Sequence, residues 1–268
     1  MQILGVLNVT RDSFSDGGQF LAADAAIAHA ERLLAGGADL IDVVAESTHP
    51  DAEDVPADLE VARLRPVVCD LRAKGVRVSV DTCKRAVMRA MLELGVEIIN
   101  DVTGLRDPEA VAVLRDQPTR IILMHSTSSG PRAERLDIPP DAIVARIVEF
   151  FLRRLDDLEH AGIARERLIL DPGMGFFLGR DPGVSLAVLR NLSRLAELGR
   201  PLCISVSRKS FIGGALATVD NPRPVDRRWA GTLAAELWAA RCGVEYIRTH
   251  DVQALRDAWR LWQTLEHP

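Results

Sequence analysis

The 268-residue sequence lacks the cysteine patterns and the basic charge that mark several protein classes. Its four cysteines are scattered without a CxxC pair, so the sequence indicates neither a disulfide framework nor a zinc site. They are Cys69, Cys83, Cys203 and Cys242. The formal net charge is −5, which argues against a nucleic-acid-binding protein, because such proteins usually carry a basic face.

Long apolar runs and internal breaks are also missing. No apolar run reaches the roughly 18 residues that a membrane span needs. The N-terminus enters an apolar strand directly, without a basic segment and an apolar signal core, so we expect a cytoplasmic protein with no membrane partner. No repeat or linker divides the chain, and the residues are 47% hydrophobic and 26% charged. We therefore expect one globular domain, residues 1–268, with a sizeable core.

Short apolar runs and helical segments alternate along the whole chain. Eight runs read as buried strands, and each is followed by a helical pattern: residues 3–7, 40–45, 76–80, 96–99, 121–124, 168–170, 202–206 and 244–247. Such alternation predicts a parallel sheet, and eight units in this length fit an α/β fold of the (β/α)8 barrel type. An open doubly wound sheet is the alternative. No GxGxxG motif follows the first strand, which disfavours its dinucleotide-binding form.

Every predicted strand ends in polar residues. In a barrel these ends meet at one mouth, where such folds place their active sites. One polar strand end is easily a helix cap, but eight of eight point to a ligand site. The residues concerned are Asn8, Glu46, Ser47, Thr48, Asp81, Asn100, Asp101, His125, Asp171, Ser207, Arg208, Lys209, Arg248 and His250.

Basic residues cluster after the seventh and eighth predicted strands. Arg208, Lys209, Arg248 and His250 lie where barrels often hold a phosphate, so they suit a diphosphate. The alternative is that Arg208 and Arg248 pair with carboxylates across the barrel top, because buried charges need partners. Asn8, as a neutral oxygen ligand, suits a Mg²⁺ ion that bridges to phosphate.

Carboxylates and an amide occupy the other side of the predicted mouth. Asp81, Asn100 and Asp171 suit a flat heterocycle with an amidine-like edge, because two N–H donors can meet one carboxylate. No Ser–His–Asp set, cysteine nucleophile or zinc cluster is identifiable among the strand ends. The pattern therefore predicts a reaction in which a diphosphate leaves and an electrophilic heterocycle is held.

Motifs at seven of the eight strand ends resemble, in order, the signatures of the dihydropteroate synthase family. They are NVTRDSFSDGG from Asn8, AESTHP from Ala45, DTCK from Asp81, NDVTG from Asn100, LDPGMGF from Leu170, SRKSFIG from Ser207 and RTHD from Arg248. The resemblance implies a (β/α)8 barrel that joins (7,8-dihydropterin-6-yl)methyl diphosphate to 4-aminobenzoate in folate biosynthesis. It also implies Mg²⁺ and a homodimer.

The resemblance further implies a role for each matching residue. Asn8 would ligate Mg²⁺, and Arg248 and His250 would bind the diphosphate with it. The pterin would be held by Asp81, Asn100, Asp171 and Lys209, with Met124 packing on it. The aminobenzoate would be framed by Thr48, Pro50, Phe176, Ser207 and Arg208. The family mechanism is dissociative: diphosphate leaves first, and the aniline nitrogen then attacks a pterin-methyl cation.

The sequence departs from the family pattern at several positions. Arg11 stands where Pro is usual, Val44-Ala45 replace Gly-Gly, and His49 replaces Arg. The run LILDPGMGFFL, which contains Phe177, resembles the sulfonamide-insensitive synthases of resistance elements. Phe177 could crowd a sulfonyl group beside the aminobenzoate, or it could be an ordinary core residue. Both interpretations stand on the sequence alone.

Three alternative functions differ in what they require of the strand ends. A pterin-dependent methyltransferase would use the Asp/Asn/Asp set but not the diphosphate group. A non-catalytic pterin-binding paralogue is compatible with the departures near Glu46. A Schiff-base aldolase would need Lys209 in an apolar pocket, which Arg208 disfavours. For the synthase we expect two loops, residues 10–18 and 47–56, to close over the site.

Overall fold

A computed structural model of the protein describes residues 1–9, 19–128, 130–217 and 221–266. Eight parallel strands form one sheet in the order β6-β5-β4-β3-β2-β1-β8-β7. The strands are β1 Gln2–Asn8, β2 Leu40–Val44, β3 Val78–Asp81, β4 Ile98–Asp101, β5 Arg120–Met124, β6 Leu168–Asp171, β7 Cys203–Ile204 and β8 Tyr246–Thr249. The predicted alternation of strands and helices is confirmed.

Helices follow every strand and cover the outside of the sheet. They are α1 Gln19–Ala35, α2 Ala57–Ala73, α3 Arg85–Leu92, α4 Pro108–Arg115, α5 Ile143–His160, α6 Pro182–Arg190, α7 Leu192–Ala196, α8 Ser210–Ala215, α9 Trp229–Arg241 and α10 Val252–Glu266. Among the described residues, none of these helices is long and apolar enough to pass through a bilayer.

A short contact between the two edge strands closes the sheet into a barrel. Leu170 of β6 forms a parallel bridge with Leu202, just before β7. The Leu170 N–H donates to the Pro201 carbonyl at 2.8 Å. The edge of β6 is thereby paired, as closure of a barrel requires. The predicted (β/α)8 barrel is confirmed.

Alternating side chains of the strands build two different cores. Outward residues such as Ile3, Ile41 and Val80 pack under the helices in one large apolar cluster. Inward residues at the bottom of the barrel form a separate apolar layer: Leu4, Leu40, Ile98, Ile122, Ile169, Cys203 and Tyr246. Most of the next inward positions of the same strands are polar, and they include Asp42, Asn100 and Arg248. The apolar layer closes the barrel floor, and the polar layer faces the mouth.

Several elements differ in extent from the predictions. Strands β3, β4 and β8 continue into polar residues, because pairing with their neighbours extends to Asp81 and Asn100. The helical segment after the sixth strand is divided at Asn191, whose side-chain amide donates to the Ala187 carbonyl at 2.8 Å. That bond takes up a carbonyl at the end of α6, and a short second helix, α7, begins with Leu192.

Candidate active site

Arg248 of β8 lies inside the barrel between two carboxylates. Its Nε donates to Asp42 of β2 at 2.5 Å, and its Nη2 donates to Asp81 of β3 at 3.1 Å. Asp42 is fully buried, and the Arg248 side chain is 15% exposed. Burial works against the guanidinium charge, but Asp42 and Asp81 outweigh it and hold the pKa of Arg248 above its ordinary value. The guanidinium is therefore a fixed cation in the barrel wall.

The same cluster changes the acidity of Asp81. Burial raises the pKa of Asp81 to about 7, against the opposing charge of Arg248, and the carboxylate of Asp42 adds to the rise. Two carboxylates that share one cation cannot both be fully compensated in a buried site. Asp81 is consequently a group that can gain or lose a proton near neutral pH.

Asp171 and Lys209 form a second charged pair at the mouth. Burial raises the pKa of Asp171, and the Lys209 ammonium opposes that rise. Burial lowers the pKa of Lys209 to about 8, and Asp171 partly offsets the effect. One oxygen of Asp171 accepts the Gly173 N–H at 2.7 Å, in a turn where Gly173 has φ +73°. A Cβ at Gly173 would lie 2.4 Å from the His125 carbonyl oxygen, so only glycine fits there.

Buried oxygen atoms without partners lie between these charged groups. Within the described part of the chain, Asn100 Oδ1, Ser79 Oγ and one oxygen of Asp42 have no hydrogen-bond partner. Asn100 is beside Asp81 in the β3–β4 register, and Met124 is beside Asp171 in the β5–β6 register. Buried polar atoms normally have partners. The arrangement therefore suits a polar ligand with an apolar face lying against Met124.

Ser207 and His250 contact one another above β7 and β8. The His250 N–H donates to Ser207 Oγ at 3.2 Å, and the ring Nδ1 lies 2.9 Å from the same oxygen. Burial lowers the pKa of His250 to about 4, and the nearby cations of Arg248 and Arg208 add to that effect. The imidazole is therefore neutral at pH 7, and the Ser207 hydroxyl is engaged by His250.

Arg208 pairs with Asp251 instead of standing as a free cation. Its Nη2 donates to Asp251 Oδ1 at 2.9 Å, and the pair is partly exposed. Arg208 and Arg248 thus both have carboxylate partners, as the pairing alternative from the sequence expected. A phosphate in this cluster would meet the guanidinium N–H groups that these carboxylates leave free, together with Lys209 and the neutral His250.

A pocket of about 510 Å³ brings together four of the five residues predicted to frame the aminobenzoate, and the fifth, Ser207, does not line it. It is lined by Thr48, Pro50, Phe176, Phe177, Arg208 and Lys209, together with Ser47, His49, Ala133, Arg135, Met174, Gly175, Ser210, Val225 and Arg228. The ring of Phe176 lies under the Arg135 guanidinium at 5.4 Å. Aromatic walls beside several cations suit a flat aromatic anion.

Phe177 satisfies parts of both interpretations made from the sequence. It is 6% exposed and packs with Val102, Met124 and Ala133 in a small cluster separate from the main core. Its ring also lies 5.4 Å from Lys209 Nζ and lines the pocket. Phe177 is thus a core residue whose ring forms part of the pocket wall.

Asn8 ends β1 at the mouth with an exposed side chain. No group of three or more His, Cys, Asp or Glu side chains that could hold a metal lies in the described ranges. A single neutral oxygen fits Mg²⁺ only if the ion takes its other ligands from phosphate and water, as Mg²⁺ commonly does. The donor set is therefore compatible with an ion that enters with a diphosphate.

The loop between β2 and α2 is tied to the loop between β5 and α5. Arg135 donates to both carboxylate oxygens of Asp51, at 3.3 and 2.7 Å. Arg132 pairs with Asp54 at 2.6 Å, and the Ala133 N–H donates to the Thr48 carbonyl at 3.1 Å. These contacts hold residues 47–56 over the pocket rim. The other predicted lid, residues 10–18 with Arg11, lies outside the described residues.

Three residues of the site were not identified from the sequence. Asp42 stands inside the apolar run LIDVV. A charged residue in a buried strand, with no partner nearby in the sequence, is the signal that could have identified it. Arg135 lies in a long polar loop and Ser210 follows the SRK triplet, and both line the pocket. His125, by contrast, was identified from the sequence and follows β5 as predicted. Its Nδ1 lies 3.2 Å from the Pro172 carbonyl oxygen, so this ring nitrogen contacts the main chain.

Comparison with known proteins identifies the family. A family described as "Pterin binding enzyme" matches residues 4–250. The chain is 42% identical to the type-3 dihydropteroate synthase of Escherichia coli, covering 98% of this chain and 99% of that protein. It is 45% identical to the type-2 enzyme of E. coli, over 95% of this chain and 92% of that protein. The chain belongs to the dihydropteroate synthase family.

A solved structure supports the same assignment. Dihydropteroate synthase from Xanthomonas albilineans in complex with 7,8-dihydropteroate has a TM-score of 0.81 and 35% identity, covering 100% of this chain and 93% of that one. The resemblance found in the seven strand-end motifs is confirmed, and the chain is an enzyme of the transferase class. The roles of individual residues stay predictions.

Proposed function

We propose that this synthase-family chain condenses (7,8-dihydropterin-6-yl)methyl diphosphate with 4-aminobenzoate to give 7,8-dihydropteroate and diphosphate. The observation that carries the proposal is the polar layer inside the barrel, where Asp81, Asn100 and Asp171 are buried and Asn100 Oδ1 has no partner in the described residues. A pterin ring presents N–H donors along one edge, and carboxylate and amide oxygens accept them.

The charges of the site fit a dissociative reaction. The C–O bond to the diphosphate breaks first, and its electron pair leaves with the diphosphate. The carboxylates of Asp81 and Asp171 stabilise the positive charge that develops on the pterin-methyl group. The aniline nitrogen then forms the C–N bond and loses a proton to solvent or diphosphate. An aniline that attacks a cation needs no strong base, so no side chain is assigned that role.

The remaining residues of the site would bind the two substrates, the diphosphate and Mg²⁺. Lys209 lies between the pterin layer and the pocket, with its ammonium near Met174 O at 3.3 Å and over the Phe177 ring. In the proposed function it would contact both substrates. Arg248 and His250 would bind the departing diphosphate, and Arg208 would border the aminobenzoate. Asn8 would give one oxygen to a Mg²⁺ ion, which would neutralise charge on the diphosphate.

The main experiment measures diphosphate release by purified protein with the pterin diphosphate, aminobenzoate and Mg²⁺. We expect release that depends on aminobenzoate, and a product with the mass of dihydropteroate. Asp171→Asn is the test variant and should lose most of the activity. Bound pterin without release would favour the non-catalytic pterin-binding paralogue. Methyl transfer from methyltetrahydrofolate would favour the methyltransferase.

We also propose that the enzyme tolerates sulfonamides because of Phe177. The Phe177 ring packs within its own small cluster. The main-chain carbonyl of Phe177 accepts hydrogen bonds from the Thr127 N–H at 2.9 Å and from the Thr127 hydroxyl at 3.0 Å. A ring fixed in this way cannot easily move to make room for the bulky sulfonyl group of a sulfonamide. The planar carboxylate of aminobenzoate fits beside the ring. Expression in a synthase-deficient bacterium with increasing sulfamethoxazole tests tolerance. Phe177→Leu should lower the tolerated dose, and Phe151→Leu serves as the matched control, because Phe151 is buried and does not line the pocket.

A homodimer is the last part of the proposal. An apolar groove of about 400 Å³ lies between α6, α8 and α9, and it is lined by Leu186, Phe211, Ala235 and Trp238 among others. Trp238 is 44% exposed and Trp229 is 52% exposed. Exposed apolar patches of this kind mark interfaces. Sedimentation should show a dimer, and Ala235→Glu should shift it toward monomer. A wild-type monomer would contradict the proposal.

The cytoplasmic location predicted from the sequence stays a prediction. Cell fractionation of the source organism tests it.

A further inference from the structure

The turn that carries Arg208 has an unusual backbone conformation. Arg208 has φ +60°, and only one other non-glycine residue in the described ranges, Leu105, has a positive φ. Such a conformation persists only where surrounding contacts fix it, and it often occurs at functional sites. The turn supplies Arg208 and Lys209 to the pocket wall. The contacts that fix it therefore bear on the pocket.

Thr232 of α9 and Arg228, the residue just before that helix, hold both backbone groups of Arg208. The Arg208 N–H donates to Thr232 Oγ1 at 3.1 Å, and the Arg208 carbonyl accepts from Arg228 Nη1 at 2.9 Å. Thr232 is 1% exposed and does not line the pocket. Arg228 is itself fixed, because its Nε donates to the Arg223 carbonyl at 2.9 Å. The first turn of α9 thus clamps the peptide groups on both sides of Arg208.

A second chain of contacts runs from the same helix to the Arg208 side chain. The fully buried Thr249 hydrogen-bonds the carboxyl group of Glu236, which is 1% exposed. The Thr249 hydroxyl also accepts the Asp251 N–H at 3.2 Å, and Asp251 pairs with the Arg208 guanidinium. One helix therefore constrains the backbone of Arg208 directly and its side chain through β8.

We infer that Thr232 is a positioning residue, which fixes the turn so that Arg208 faces the aminobenzoate. The inference rests on the proposed function for the identity of that ligand. Without the Thr232 hydroxyl, the partly buried Arg208 N–H would lose its acceptor, and the strained turn would lose one of the two contacts that hold Arg208. The aminobenzoate side of the pocket would then be less preorganised. The pterin layer would be unchanged, because Lys209 is held separately by the Met174 carbonyl and by the charge of Asp171.

The test compares Thr232→Val, which keeps the shape and removes the acceptor, with Thr232→Ser, which keeps the hydroxyl. We expect Thr232→Val to raise the KM for aminobenzoate roughly fivefold and to leave the Kd for the pterin diphosphate within about twofold. Thr232→Ser should restore the wild-type KM. The matched control is Thr119→Val, because Thr119 is also buried and its hydroxyl bonds the Val96 carbonyl at the barrel floor.

Limited trypsin digestion gives a readout that needs no turnover. The Arg208 side chain is 44% exposed, so a released turn should be cut after Arg208 or Lys209 faster in Thr232→Val than in the wild type or the control. Mass spectrometry identifies the cut. If Thr232→Val does not fold, Thr232→Ala takes its place, because it also removes the acceptor and leaves the pocket-lining Arg228 unchanged. Faster cutting with an unchanged KM would overturn the positioning role.

The two proposals fail in different ways. A wild-type protein that forms no product overturns the proposed function, and the digestion still decides whether Thr232 holds the turn. An active enzyme in which Thr232→Val changes neither the aminobenzoate KM nor the cutting rate overturns the inference alone. A rise in KM that is equal for both substrates, or that also occurs in Thr119→Val, would indicate a general loss of stability and would likewise overturn it.

Discussion

Replacing Asp42 by asparagine keeps the shape of a fully buried side chain and removes its charge from Arg248. The Arg248 Nε would keep a neutral acceptor in place of a carboxylate at 2.5 Å, and only Asp81 would remain as a charged partner. Removing one member of a buried ion pair costs about 3–5 kcal/mol, because the remaining charge is left uncompensated. Since asparagine still accepts a hydrogen bond, we expect the lower limit, about 3 kcal/mol.

That loss is large enough to measure in two ways. For a chain of this length 1 kcal/mol changes the melting temperature by roughly 2–4 °C, so Asp42→Asn should melt roughly 6–12 °C below the wild type. The variant should also change the acidity of Asp81, because the Asp42 carboxylate raises its pKa and Arg248 opposes that rise. With Asp42 neutral, the pKa of Asp81 should fall by roughly one unit from about 7.

The assay is the pH dependence of kcat/KM, whose acid limb reports groups of the free enzyme. If ionised Asp81 is needed to hold the pterin, the acid limb should move to lower pH in Asp42→Asn. The control is Asp39→Asn, because Asp39 pairs with Arg256 at 2.6 Å and is 34% exposed. Its partly exposed pair should be worth no more than about 1 kcal/mol. Unchanged melting and an unchanged acid limb in Asp42→Asn would refute the reasoning.

Three further changes test other parts of the structure. Burial raises the pKa of Glu236 from 4.5 to about 8, so the folded chain holds this proton more tightly and the contribution of Glu236 to the stability should fall as the pH rises through that interval. Glu236→Gln should remove that fall, and urea titrations at several pH values measure it; parallel curves would contradict the assignment. Lys84→Met leaves two carboxylates without their shared ammonium and should cost about 3 kcal/mol in thermal unfolding. Gly173→Ala places a Cβ 2.4 Å from the His125 carbonyl oxygen and should cost at least about 2 kcal/mol, with weaker pterin binding by calorimetry; wild-type values would show that the turn relaxes.

The fold and the strand ends could be predicted because their signals are local. Each strand–helix unit has its own apolar pattern, and the parallel arrangement of eight such units sends all the strand ends to one mouth. Asp81, Asn100 and Asp171 could be placed together on that ground alone. Their mutual contacts could not, because strand register and side-chain direction depend on pairing between distant segments.

Asp42 shows why the rest was not predictable. In the sequence it interrupts an apolar run, and its partner Arg248 lies 206 residues further along. Only the pairing of the last strand with the first brings β8 beside β1 and within reach of β2. Thr232 is a similar case: it lies on an outer helix with no polar neighbour pattern, and its role appears only through the Arg208 N–H. Contacts between residues so far apart along the chain leave no local pattern in a single sequence.

The charges in the barrel interior suggest why the site favours a cationic intermediate. Three carboxylates, those of Asp42, Asp81 and Asp171, face two fixed cations, Arg248 and Lys209. With all five ionised the interior holds one uncompensated negative charge, and a proton on Asp81 removes it while the bound pterin is neutral. On the proposed function, departure of diphosphate places a positive charge on the pterin beside Asp81. That charge favours loss of the proton, so the interior becomes more negative as the cation forms. A site arranged in this way binds the intermediate more strongly than the substrate, which is the condition for lowering the barrier.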